Sequence, residues 1–92
     1  MIAITVSAGT GTVSVDFGHL PCEAVSITAP DSTPMYDFAI YNANGQYVVG
    51  AADITAQKAK INESFRLDGI CQLSITGAVD DGVYQVEPFQ RD

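Results

Sequence analysis

The run Ile2-Ala-Ile-Thr-Val-Ser-Ala-Gly-Thr-Gly-Thr-Val-Ser-Val-Asp-Phe17 decides the fold class. Ile2, Ile4 and Val6 alternate with Ala3, Thr5 and Ser7, and Val13, Val15 and Phe17 alternate with Ser14 and Asp16. A period of two puts each apolar set on one face of an extended strand. Gly9 and Gly11 lie between the two sets as turn residues, so the run predicts two strands joined as an antiparallel hairpin.

The rest of the 92-residue chain repeats this grammar. Ile, Val and Thr number 8, 9 and 7 against only 3 Leu, and such side chains suit a pleated surface better than a helix. Gly18-His-Leu-Pro21 reads as the end of the second strand, and a third runs from about Cys22 to Ala29. Within it, Val25, Ile27 and Ala29 share a face that Cys22 and Ala24 do not, which predicts a bulge or a change of face near Glu23–Val25. Pro30-Asp-Ser-Thr-Pro34 is a loop. Tyr36, Phe38 and Ile40 then alternate with Asp37 and Ala39, and Asn44-Gly45 turns the chain into Tyr47–Val49 through a predicted type I′ hairpin. Asp53 is placed to cap a short helical turn reaching Lys60, although Ile54 and Ile61 alone give such a turn little to bury, so a helical turn and a loop both remain open there. Phe65 and Leu67, then Cys71, Leu73 and Ile75, and lastly Val83–Glu87 complete eight short strands. That spacing predicts a single all-β domain, an antiparallel two-sheet sandwich over residues 1–92.

Composition narrows the function classes. At 47% hydrophobic residues the chain is too apolar to be disordered, and no apolar run nears the roughly 20 residues of a membrane span. A formal charge of −7 argues against nucleic acid as a partner. The start, Met1-Ile-Ala-Ile-Thr-Val6, has neither a basic region nor a long apolar region, so synthesis in the cytoplasm without a secretory signal is the expectation.

Charge is unevenly distributed along the chain. Residues 1–57 carry five acids and no Lys or Arg, residues 58–66 have a net charge of +2, and residues 67–92 a net of −4. Lys58, Lys60 and Arg66 therefore form the one basic patch, which is either a solvated loop or a docking patch for an acidic partner surface or for a neighbouring copy of this chain. Pro34 and Met35, expected to be exposed beside Tyr36, form a second candidate interface.

Residues able to carry chemistry are sparse. His19 is the only histidine; its nearest acid in sequence is Asp16, and no nucleophile motif accompanies it. Cys22 and Cys71 lie 49 positions apart, and a disulfide between them would stabilise by on the order of 4 kcal/mol in the chain-entropy view. The absence of Trp and of a secretory signal favours two buried free thiols instead. Asp31 and Asp80-Asp81-Gly82 lack the spacing of a calcium loop and suit turns. Tyr36, Tyr41, Tyr47 and Tyr84 could stack on sugars, yet parity sends Tyr36 and Tyr41 to opposite faces. The expectation is a protein that is not an enzyme and has no cofactor, no metal and no membrane partner.

Two segments carry a family resemblance. Leu20-Pro-Cys-Glu-Ala-Val-Ser-Ile-Thr-Ala-Pro30, and Leu67-Asp-Gly-Ile-Cys-Gln-Leu-Ser-Ile-Thr-Gly77 followed by Asp81-Gly-Val-Tyr84, resemble strand and closing-hairpin segments of small β-sandwich virion proteins of tailed bacteriophages. The likeness covers about 25 of the 92 residues and does not extend to Ala51–Lys60. It implies a capsid decoration or cement protein whose partner is the major capsid protein, acting as a homo-oligomer (a trimer or a dimer) on the virion. A tail, neck, adaptor or vertex-spike component is the alternative within the particle. A small carbohydrate-binding or adhesive module is the alternative outside it.

Overall fold

The computed structural model describes residues 1–91. It comprises seven strands: β1 (Ile2–Val6), β2 (Gly11–Thr28), β3 (Tyr36–Tyr41), β4 (Tyr47–Ile54), β5 (Lys58–Ile61), β6 (Phe65–Thr76) and β7 (Gly82–Gln90). Every ladder is antiparallel, and the ladders join all seven strands into one sheet with the path β1-β7-β2-β6-β3-β4 and β5 added to β2. The all-β antiparallel expectation therefore holds, with one continuous sheet where two were expected. The sheet is not closed, since β1 and β4 end the path.

The organising unit is a long two-stranded ribbon. Val25 pairs with Ile61, Cys22 with Phe65, His19 with Asp68, Asp16 with Ile70 and Gly11 with Ile75. The register is nearly constant, so β5 and β6 act as one interrupted strand facing the whole of β2. An unbent strand of 18 residues would span about 60 Å at ~3.3 Å per residue, yet the longest dimension of the molecule is 33 Å. The ribbon must fold over. It does so around Gly18, which has φ 65° and sits at a register shift between Asp16 and His19. A second shift, between Cys22 and Ala24, is the bulge that side-chain parity predicted.

Folding brings both ends of β2 to one group of turns. The Ala78 N–H donates to the Gly9 carbonyl at 3.0 Å, while a β-carbon on Gly82 would lie 3.0 Å from Pro30 Cγ. Tyr36 on β3 and Tyr84 on β7, separated in the sheet by β6 and β2, meet edge-to-face with centroids 5.0 Å apart. The sheet thus encloses its own core, in which Ile4, Val25, Ile27, Ile40, Leu67, Leu73 and Val86 are wholly buried.

Four local expectations need correction. Ser7–Thr10 is a tight turn with positive φ at Ala8 and Gly9, but it joins β1 to β2 through one bridge only, because β1 pairs with β7. Gly18–Pro21 does not end a strand; it lies at the fold of the ribbon, opposite Asp68-Gly69. At Asn44-Gly45 only Gly45 has positive φ, and its N–H donates to the Asn42 carbonyl at 2.9 Å, which is a wider loop than a two-residue type I′ turn. No described residue is helical: Lys58–Ile61 is a strand, with Ala59 and Ile61 packed against the core.

Candidate functional site

The basic residues are positioned by the ribbon. Alternation along Lys-Ala-Lys-Ile turns Ala59 and Ile61 inward and leaves Lys58 and Lys60 exposed opposite Thr28 and Ser26. The Lys60 ammonium lies 5.0 Å from the centre of the Phe89 ring on β7, a cation–π contact worth about 0.5–1 kcal/mol at an exposed site. Arg66 stands opposite Pro21 on one side of β2. On the other side the Arg91 N–H donates to the Pro21 carbonyl at 2.9 Å. All four cationic residues of the chain therefore flank residues 21–28 of β2. Arg91 was absent from the sequence-derived patch because it is 25 positions from Arg66; only the β2–β7 ladder brings it in.

Arg66 also completes a surface cluster. His19 Nδ1 lies 2.8 Å from Asp68 Oδ1, an Arg66 terminal nitrogen lies 2.7 Å from His19 Nε2, and Arg66 Nε lies 3.7 Å from Asp68 Oδ2. The same Arg66 nitrogen also lies 3.0 Å from His19 Nδ1, so the guanidinium sits against both ring nitrogens while Nδ1 faces the carboxylate. The acid beside His19 is therefore Asp68, its ladder partner, rather than Asp16. A His–Asp pair needs a nucleophile or substrate on its second nitrogen to act as a base, and here that nitrogen faces Arg66. The cluster clasps the fold of the ribbon.

The second candidate interface is largely withdrawn from the surface. Pro34 is buried and Tyr36 is 1% exposed in the core, so of the three only Met35 is exposed. Met35 lies beside Val79, whose N–H donates to the Met35 carbonyl at 3.1 Å. Tyr36 went inward because its parity is that of Phe38 and Ile40.

Other candidate groups have structural work. Cys22 and Cys71 are free and fully buried. Burial pushes both thiols up, with Arg91 partly offsetting the effect at Cys22, so both stay protonated and unreactive near neutral pH. The Asp81 carboxylate accepts the Ala8 and Gly9 N–H groups at 3.1 Å each, and Asp31 accepts the Thr33 N–H. Among the described residues no group of three or more His, Cys, Asp or Glu is arranged to hold a metal ion.

One pairing escaped the sequence reading. Tyr41 pairs with Tyr47 across the β3–β4 hairpin, and their rings meet edge-to-face at 6.2 Å on the outer side of the sheet. Open recesses of about 480 and 300 Å³ lie on either side, and Tyr41 lines both. The opposite parity of Tyr36 and Tyr41 was legible in the sequence; the pairing of Tyr41 with Tyr47 needed the register of the hairpin. In comparisons with known proteins, no protein-family model matches the chain, and no curated protein matches it.

Proposed function

We propose that this protein is a non-enzymatic component of a tailed-phage virion, a capsid decoration protein that binds the outside of the mature shell where major capsid subunits meet. In this reading it is made in the host cytoplasm and ends on the capsid surface. The folded-over sheet serves as a compact sandwich-like module. The observation that carries the reading is the gathering of Lys58, Lys60, Arg66 and Arg91 along β2 in a chain of net charge −7. A cationic band on an acidic molecule orients docking onto an acidic surface while the remaining charge keeps free copies apart. The resemblance of Leu20–Pro30 and Leu67–Gly77 to phage virion segments supplies the identity of that surface.

The mechanism is mass action. A ligand that binds only the assembled lattice stabilises each site by RT ln(1 + [L]/Kd), and repetition over the shell multiplies the effect. The chain exposes 4954 Å², and a standard contact of about 800 Å² per partner would use about a sixth of it. A homo-oligomer is built through β1, one of the two strands that end the sheet path. Residues 1–15 contain no charged side chain, so like-charge repulsion is weakest where two copies would pair.

The test is the copy number of this chain in purified particles relative to the major capsid protein. A stoichiometry comparable with the shell subunits is expected. A handful of copies would move the protein to the tail, neck or vertices, and none would end the virion reading. With copies present in number, Lys58→Glu/Lys60→Glu should reduce re-binding to particles lacking the chain, and those particles should lose heat and osmotic resistance.

A further inference from the structure

The recesses around Tyr41 and Tyr47 are not part of the cationic band, and their chemistry differs from it. The larger is lined by Ser14, Asn42, Ile70 and Gln72 as well as Tyr41, and the smaller by Asp37, Ala39, Ala52, Ser74 and Thr76 beside the tyrosine pair. Gly50, next in the chain to Ala51 of the smaller recess, is fixed as glycine for a backbone reason. A β-carbon at Gly50 would fall 2.2 Å from the Phe38 carbonyl oxygen and 3.1 Å from the Tyr47 hydroxyl, so only glycine lets β4 lie this close to β3 with the phenol across it.

We propose that this outer face is a binding site for a neutral oligosaccharide, with one pyranose ring in each recess and the tyrosine pair between them. A pyranose presents an apolar CH face and a rim of hydroxyls that both donate and accept. Aromatic rings suit the first, while amides, short hydroxyls and a carboxylate suit the second. The polar groups needed are available. The Asn42 side chain is committed to its own turn, accepting the Asn44 and Gln46 N–H groups at 2.9 and 3.0 Å. Gln72, Ser14, Ser74 and Thr76 have no side-chain hydrogen bond among the described residues, and Asp37 uses Oδ1 for the Asp53 N–H at 2.8 Å while Oδ2 remains.

The lining also discriminates between ligand classes. It contains no Lys or Arg and one carboxylate, Asp37, so a phosphate, sulfate or uronate would meet no countercharge. An apolar helix or a second copy of this face would need a continuous apolar patch, whereas Ile70, 59% exposed, stands among Ser14, Asn42 and Gln72. Shallow recesses of this kind bind single chains weakly, and many copies on one particle would raise the overall avidity by about 10²–10⁴-fold.

The experiment is a nitrogen-15 NMR titration of the full chain with cellohexaose, chitohexaose and maltohexaose. At least one probe should move the amides of Tyr41, Tyr47, Gln72 and Ser74 with a saturable, sub-millimolar to millimolar isotherm. Tyr47→Ala and Gln72→Ala, both at exposed positions, should each weaken that isotherm by about tenfold, which is about 1.4 kcal/mol, and leave core resonances unmoved. No shift at these residues with any of the three probes overturns the proposal. So do shifts that cluster elsewhere or survive both substitutions. Neither result depends on the copy number in particles.

Discussion

Tyr36 and Tyr84 touch in the core, yet their hydroxyls have opposite fates. Tyr84 donates to the Asp80 carbonyl at 2.8 Å, whereas the buried Tyr36 hydroxyl has no partner among the described residues. An unpaired buried hydroxyl costs about 1–3 kcal/mol, and a satisfied one contributes about 1 kcal/mol. Tyr36→Phe should therefore raise unfolding free energy by about 1 kcal/mol and Tyr84→Phe lower it by about the same amount, measured by urea denaturation. Burial, with a smaller contribution from Tyr84, pushes Tyr36 from 10.0 up to about 12. Burial chiefly, then Asp80, Asp81 and Asp31, also pushes Tyr84 up. The unfolded phenol loses its proton near pH 10.0 while the folded Tyr36 keeps it to about 12, so across that window the native state binds more protons. The stability that this phenol contributes is complete below pH 10.0 and falls as pH rises towards about 12, by up to about 1.4 kcal/mol per pH unit for one group. Denaturation curves at stepped alkaline pH should show that decline, and Tyr36→Phe should make it shallower.

At the scale of elements, the bent ribbon and β5 depart most from local propensity. The segment Ala56-Gln-Lys-Ala59 favours helix, but a helix there would have offered the core little beyond Ile54 and Ile61. As a strand, Lys58–Ile61 satisfies its backbone on β2 and packs Ala59 and Ile61; pairing outweighs propensity. Gly18 and Gly50 test two different constraints on the sheet. A β-carbon at Gly18 meets nothing within 4 Å, so its φ of +65° is the whole constraint. Gly18→Ala should cost about 1 kcal/mol and Gly18→Asn less, because Asn tolerates the left-handed region. At Gly50 the obstacle is the Phe38 carbonyl oxygen, 2.2 Å from any β-carbon, and Gly50→Ala should cost about 3 kcal/mol or more. Thermal unfolding of the three variants separates backbone strain from collision.

The molecule as a whole has a neutral edge and a charged body. β1 ends the sheet, carries no charge, and lacks the lysines, prolines and bulges that usually protect an edge strand. Under the proposed assembly through β1, wild-type protein should run as a dimer or trimer in sedimentation. Ala3→Lys, which puts a charge at an exposed position on that edge, should run as a monomer with an unchanged circular dichroism spectrum. Binding of the Lys58, Lys60, Arg66 and Arg91 band to the shell should weaken as salt rises, because exposed charges are screened over about 8–10 Å near physiological ionic strength.

What the sequence determined alone was whatever depends on neighbours a few positions away. The alternations at Ile2–Val6 and Tyr36–Tyr41, the loop at Pro30–Pro34 and the hairpin at Asn44-Gly45 all obey the period of two or the chemistry of turns, and the fold class followed from them. The bulge near Cys22–Ala24 was legible for the same reason, as a change of parity. Tertiary structure decided what depends on partners far along the chain. Gly18–Pro21 read as a strand end because a bend and a break look alike locally, and only pairing with Phe65–Ile70 shows that the strand continues. Pro34 looked exposed in its loop, and only the folded sheet buries it beside Tyr36. Asp68 reached His19, Arg91 reached Pro21 and Tyr47 met Tyr41 through ladder registers. A ladder register is a global choice among strand pairings, set by which arrangement buries every apolar face at once, and no local window of sequence contains that sum.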